Sequence, residues 1–145
     1  MSYTVFIFFG EQNLENLSAA VHLTETIMGF HFSGAEKNQA RLLDISLEVC
    51  QRSSFLCHTE DMPFGDFQYQ LELSTPVFRG ELIHPIGLYL TREFSSRLNQ
   101  RSMLCLAGVE FLGAMFEKGR LVTDRMGLLP HLHACGPWQY CPESK

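Results

Sequence analysis

Two segments of the chain alternate apolar and polar residues with a period of two. Leu43, Ile45, Leu47 and Val49 are separated by Asp, Ser and Glu, and the segment from Phe67 to Leu73 repeats the pattern. Such alternation is typical of strands with one face against a core and the other in water. We therefore predict two amphipathic strands whose apolar positions face covering helices and whose polar positions face solvent.

The N-terminal segment carries a different pattern. Tyr3 to Phe9 is β-branched and aromatic throughout, which indicates a strand buried on both faces, or nearly so. Leu14 to Met28 then places apolar residues at helical spacing. Asn13 is a suitable N-cap and Gly29 a suitable stop, so the chain is expected to open with a strand followed by a helix.

The middle of the chain is predicted to be rich in strands. Ser54 to Thr59 reads as a strand that returns along Leu43 to Val49, so the two are expected to form a hairpin. Met62 to Asp66 contains Pro and Gly and is predicted to be a loop. Pro and Gly also interrupt the segment from Thr75 to Pro85, so any strand there should lie at an edge of the sheet or be short. Ile86 to Thr91 could form another strand.

From Arg92 onward the spacing of apolar residues becomes helical. The longer apolar face runs from Leu104 to Phe116, with Ser102 as a candidate cap and Gly119 as a candidate stop. Arg120 to Thr123 is then expected to return as a strand.

These elements predict one globular domain spanning residues 1–145, because no repeat, linker or low-complexity stretch divides the chain. The predicted fold class is α+β. We expect a two-layer sandwich in which a mostly antiparallel sheet is covered on one face by two helices.

Composition narrows the possible partners. The chain is 46% hydrophobic, carries a net charge of −5 and contains 12 Phe residues, which indicates an aromatic core or an aromatic partner surface. The sequence has no dense basic patch of the kind that binds phosphate, so nucleic acid is not an expected partner. No apolar run approaches the length of a membrane helix, and the first residues lack the basic region of a signal peptide. A cytoplasmic protein is therefore expected.

The densest group of possible metal ligands lies near the C-terminus. His131, His133, Cys135 and Cys141 fall within the run HLHACGPWQYC. Structural zinc sites more often use two closely spaced pairs separated by a long gap, so a tail docked through its apolar residues is the preferred interpretation. Zinc binding and a disulfide between Cys135 and Cys141 are the alternatives, and no cofactor is expected.

No catalytic constellation emerges from the remaining residues. The chain has no phosphate-binding loop, dinucleotide fingerprint or hydrolase nucleophile motif. Cys57 and His58 are adjacent, so on a strand they would point to opposite faces. Cys50, Cys57 and Cys105 are expected to be reduced thiols that pack as small apolar residues. We therefore expect a protein that is not an enzyme.

The histidines outside the tail also suggest structure more than chemistry. His22, His31 and His84 each sit in an otherwise apolar stretch. They are expected at the edge of the core, each with one hydrogen bond.

Two segments resemble small bacterial immunity proteins of contact-dependent inhibition and polymorphic toxin systems. One is the strand–helix unit YTVFIFFGEQNLENLSAAVHLTETIMG, and the other is LAGVEFLGAMFEKGRLVTD, where a covering helix would end at Gly119 and lead into a strand finishing on Asp124. The resemblance implies a protein that binds and neutralises a cognate toxin, and a nuclease is the expected target. It carries over no functional residue.

An acidic loop is the expected contact surface for such a partner. Nuclease toxins hold phosphate and are therefore usually basic, so acids on the inhibitor would steer their association. The candidate contacts are Glu60, Asp61 and Asp66 with Glu72 on the next strand, and Phe64 is the candidate aromatic anchor. An ordinary solvated loop is the competing interpretation.

Two other functions remain open at this level. The terminal His/Cys cluster would suit a small enzyme or a metal-binding protein. The Phe-rich composition would suit a non-catalytic subunit or adaptor.

Overall fold

The computed structural model describes five stretches of the chain, residues 2–11, 14–56, 62–76, 80–109 and 111–125. They form a single antiparallel sheet of seven strands and two α-helices. The strands are Tyr3–Phe9 (β1), Gln39–Leu42 (β2), Ile45–Gln51 (β3), Tyr69–Thr75 (β4), Arg101–Leu106 (β5), Phe111–Glu117 (β6) and Arg120–Asp124 (β7). The helices are Leu17–Met28 (α1) and Gly80–Leu98 (α2), and a 3-10 turn spans Phe64–Asp66.

The strand order across the sheet is β2-β3-β4-β1-β5-β6-β7. Both helices pack on one face of this sheet, α1 over β3 and α2 mainly over β1, β5 and β6. The main core lies between the two layers. The predicted α+β sandwich with two helices over one face of an antiparallel sheet is therefore confirmed. Neither described helix is long and apolar enough to cross a membrane.

The N-terminal strand–helix unit forms as its sequence pattern predicts. In β1, Val5, Ile7 and Phe9 join the core under the helices, while Phe8 is buried on the opposite face. The N-cap of α1 is Asn16, whose side chain accepts a hydrogen bond of 2.9 Å from the amide of Ala19. The proposed cap Asn13 lies outside the described residues. Gly29 ends the helix as expected, with a φ of 86° that suits glycine.

The alternating strands are present, but their pairing differs from the prediction. Ile45, Leu47 and Val49 are buried under the helices. Leu43 is not, because it occupies the β2–β3 turn and is 74% exposed. The partner of β3 in the hairpin is β2, which precedes it, and β4 lies on its other side. The expected strand 54–59 is a turn at residues 54–55, and residues 57–61 lie outside the described chain.

In the second half of the chain, the helices and strands differ more from those predicted from the sequence. Residues 86–91, expected as a strand, lie inside α2. The expected helix over residues 102–118 is instead the hairpin of β5 and β6. Gly108 and Gly119 lie in or beside the turns after β5 and β6, with φ values of 72° and 85°. The strand predicted from Arg120 is confirmed as β7. The described residues of the second segment of the immunity-protein resemblance, 106–109 and 111–124, therefore form strands and turns in place of the expected helix.

The sheet face opposite the helices is called the open face here. Over β1, β5 and β6 it carries a second apolar cluster, which the segment around the 3-10 turn covers. The buried members of this cluster are Phe8, Phe64, Phe67, Met103, Cys105 and Leu112. The half formed by β2, β3 and β4 carries polar side chains such as Ser46, Glu48 and Glu72. The prediction that Phe67 faces the helices is therefore wrong, whereas Tyr69, Leu71 and Leu73 do so.

Candidate functional site

The polar half of the open face contains a shallow groove of about 420 Å³, which we call the acidic groove. Its floor is set by strand register, because Glu48 of β3 lies directly opposite Glu72 of β4. The next pair along the same strands is Ser46 with Ser74. The groove is lined by Ser33, Gly34, Gln39, Ala40, Arg41, Ser46, Leu47, Glu48, Glu72 and Ser74.

Neutral donors provide little compensation for the two carboxylates. The Gln39 side-chain amide approaches Glu48 at 3.5 Å, and the Ser74 hydroxyl approaches Glu72 at 3.5 Å. Both distances are at the long limit of a hydrogen bond. None of the ion pairs among the described residues includes Glu48 or Glu72. Arg41, an exposed residue on β2, is the one cation among the described residues that line the groove.

Burial and the negative charge in the groove change the pKa values of two groups, Glu72 and Cys50. Burial raises the pKa of Glu72, and the Glu48 charge beside it raises that pKa further. Burial likewise raises the pKa of the Cys50 thiol to about 11, with Glu48 and Glu72 both adding to the effect. The groove is therefore a place where additional negative charge is unfavourable and a cation would be stabilised.

The predicted contact loop is divided between described and undescribed residues. Glu60 and Asp61 lie outside the described chain. Asp66 accepts a charge-assisted hydrogen bond from the Arg101 guanidinium, which also lies 3.7 Å from Glu11. The negative charge of Asp66 is thus largely compensated by Arg101 within the protein.

Phe64 was the candidate anchor of that loop, and the structure buries it. The side chain is 6% exposed and packs edge-to-face on Phe8, with ring centroids 5.1 Å apart. Because the Phe64 ring is buried in the open-face cluster, it is not accessible to a partner protein. Glu72 is the member of the predicted set that lines the acidic groove.

Glu48 is the groove residue that the sequence analysis missed. It occupies a polar position in the same alternating segment as Ile45 and Leu47. Its partner Glu72 occupies the corresponding polar position of β4. The alternation alone placed both side chains on the open face, and only the β3–β4 pairing shows that they are neighbours.

The histidines behave in two different ways. His84 is hydrogen-bonded to the Tyr3 hydroxyl at 2.7 Å, as expected for a residue at the core edge. His22 and His31 are instead exposed and flank the Glu25 carboxylate at 3.9 and 3.5 Å. The amide of Phe32 donates to that carboxylate and, together with the imidazoles, lowers the pKa of Glu25.

The described residues contain no group of His, Cys, Asp and Glu side chains that could hold a metal ion. Cys105 is buried and Cys50 half-buried, and both are free thiols. Burial raises the pKa of the Cys105 thiol to about 12. The terminal set of His131, His133, Cys135 and Cys141 lies outside the described chain, as does Cys57.

Most of the described Phe side chains are accounted for by the two apolar clusters. The buried ones are Phe8, Phe9, Phe32, Phe64, Phe67, Phe94 and Phe116. Packing on both faces of the sheet thus accounts for these seven Phe residues, whereas Phe55 is 91% exposed. No protein-family model matches the chain, and searches of curated proteins and of solved structures found no match.

Proposed function

We propose that this protein is an immunity-type binding protein that neutralises a cognate bacterial toxin by direct contact. The observation that carries the proposal is the pair of carboxylates, Glu48 and Glu72, side by side in the acidic groove. The proposed contact is between this groove and a basic surface of the toxin. The resemblance of the N-terminal strand–helix unit to immunity proteins points in the same direction.

The energetics of the pair favour a binding role. Like charges opposite each other on neighbouring strands cost stability, on the order of 0.2–1 kcal/mol. A Lys or Arg side chain from a partner would remove that repulsion and would satisfy Glu72, whose ionisation is already disfavoured. The isolated protein therefore keeps an unfavourable arrangement that a basic partner converts into a favourable one.

The net charge of −5 extends the same preference over a longer range. A nuclease toxin carries positive charge where it holds phosphate, so an acidic protein is steered toward its active site. Covering that site would exclude the nucleic acid substrate. Neutralisation then requires no catalytic group in the inhibitor.

A co-expression experiment tests the function. The probe is the protein encoded by the gene directly upstream, produced in a host with and without this chain. We expect the probe to arrest growth when produced alone and this chain to restore growth through a stable complex. Growth arrest that this chain does not relieve, or the absence of any complex between the two purified proteins, would refute the proposal.

A charge-reversal experiment tests the surface. Glu48→Lys with Glu72→Lys should slow association with the same probe by about tenfold or more at low salt. The matched control reverses Glu36 and Glu117, which are exposed and do not line the groove. Both variants have the same net charge, so equal slowing by the two would remove the groove as the contact surface.

A substitution of Arg41 should change the association rate in the opposite direction from the two charge reversals. Because it is the cation that lines the groove, Arg41→Gln should speed association with a basic probe. The differences between all these variants should shrink near 1 M salt, where the screening length is about 3 Å. Association that is slower in Arg41→Gln would mean that the partner surface is not basic.

A further inference from the structure

Leu43 combines two unfavourable features at the tip of the β2–β3 hairpin. It occupies the two-residue turn between Leu42 and Ile45 with a φ of 58°, and its side chain is 74% exposed. A positive φ in a tight hairpin turn is normally supplied by Gly, Asn or Asp. Leucine strains the backbone there, and its exposed side chain gains nothing from burial in the isolated protein.

The other two large apolar side chains that are exposed among the described residues, Phe55 (91%) and Val122, do not have a positive φ. Val122 is 53% exposed, but it lies within β7, where a β-branched residue is an ordinary choice. Its backbone is not in the left-handed region. The other non-glycine residues with a positive φ, namely Lys37, Asn99, Ala107 and Lys118, are also exposed, but none of them carries a large apolar side chain. A large apolar side chain at a strained, exposed position therefore sets Leu43 apart, and such a position is evidence for a functional constraint.

The position of Leu43 relates it to the acidic groove. Arg41 and Ser46, which close the hairpin side of the groove, are register partners only a few residues from the turn. At about 3.3 Å of rise per residue, the five steps from Leu43 in the turn to Glu48 in β3 span at most roughly 17 Å. Both therefore fit within one protein interface of standard size, about 800 Å² per partner.

We infer that Leu43 is the apolar anchor of the toxin interface and inserts into a pocket beside the basic surface that meets Glu48 and Glu72. This inference rests on the proposed function. A buried aliphatic anchor bordered by charged contacts is the arrangement that gives an interface both affinity and orientation. The charge complementarity of the groove identifies the occupant as a basic protein and not as a second copy of this acidic chain.

The test uses substitutions that separate stability from binding. Leu43→Asn removes the apolar side chain and supplies a residue that tolerates the left-handed conformation. We expect the melting temperature of the isolated variant to equal or exceed that of the parent. Its affinity for the upstream-encoded protein should fall about 30-fold or more, mainly through faster dissociation.

Two control variants sharpen the measurement. Val122→Thr removes an exposed apolar side chain at the opposite edge of the sheet and should leave the affinity within about twofold. Leu43→Met keeps an apolar side chain of similar volume and should retain most of the affinity. A loss in Val122→Thr equal to that in Leu43→Asn would mean that exposed apolar area in general drives binding, which overturns the inference.

The outcomes distinguish this inference from the proposed function. Parent binding with an unchanged affinity in Leu43→Asn overturns the anchor and leaves the immunity function standing. A lower melting temperature in Leu43→Asn would assign Leu43 a structural role and would also overturn the anchor. No binding by the parent chain refutes the proposed function, and the anchor falls with it.

Discussion

Replacing Glu72 with Gln should stabilise this protein at neutral pH although it removes no strain and fills no cavity. The substitution keeps the shape of the side chain and its ability to accept from Ser74. It removes the charge that lies opposite Glu48 on the neighbouring strand. Because Glu72 is half-buried, the Gln side chain also loses less hydration than a carboxylate does.

The magnitude follows from the geometry of the pair. Directly opposed like charges on a sheet cost about 0.2–1 kcal/mol. Relief of that repulsion corresponds to a rise in melting temperature of roughly 1–4 °C for a chain of this size. Glu48→Gln should give a similar gain, and the double variant should gain less than the sum of the two, because the repulsion can be removed only once.

The sign of the pH dependence is fixed by the direction of the pKa shift. The pKa of Glu72 is raised above its ordinary value of 4.5, so the native state holds this proton more tightly than the unfolded chain does. Native stability in the parent therefore falls as pH rises from about 4.5 through the raised pKa. The advantage of Glu72→Gln should be present above that window and vanish below it.

Urea denaturation of the parent, the two single variants and the double variant at pH 7 and pH 4 measures all of these quantities. Glu36→Gln serves as a control, because it removes an exposed carboxylate outside the acidic groove. Destabilisation by Glu72→Gln at pH 7, or strict additivity of the two single variants, would show that the carboxylates do not repel each other and would refute the reasoning.

Three further predictions concern the core. Leu47→Ala should cost about 2–5 kcal/mol in urea denaturation, since Leu47 is buried under the helices, whereas Ser46→Ala should stay within about 0.5 kcal/mol; the reverse order would contradict the assigned sheet faces. Gly113→Ala should cost about 1–3 kcal/mol, because its Cβ would lie 2.9 Å from the Leu106 side chain, and a neutral result in the same assay would show that this contact relaxes freely. The Cys105 thiol, with its pKa raised to about 12, should react with a thiol reagent at pH 8 only on unfolding, and rapid reaction of the native protein at this position would contradict its burial.

The elements β1, α1 and β3 of the first half were predictable because their signals are local. Val5, Ile7 and Phe9 in β1, and the alternation around Leu47 in β3, are readable from a few consecutive residues. The helix stop at Gly29 follows equally from one residue and its φ requirement.

The errors in the second half have a common cause. β5 and β6 lie toward the interior of the sheet, so both of their faces are covered, one by α2 and the other by the second apolar cluster. A strand covered on both faces loses its alternation and resembles a buried helix in sequence. Gly80 and Pro85 produced the opposite error, since both lie within α2. Gly87 brings the helix close to the sheet, where an added Cβ would meet Leu104 at 3.1 Å.

The sequence by itself determined that Glu48 and Glu72 would occupy the polar face of their strands, because a strand's alternation assigns every side chain to a face. It also determined an acidic protein with an apolar interior. Only the tertiary structure decided that these two carboxylates are neighbours, that Phe64 is buried and that Leu43 is exposed. Those outcomes depend on which strands pair and in which register, and pairing is set by contacts between residues far apart in the chain.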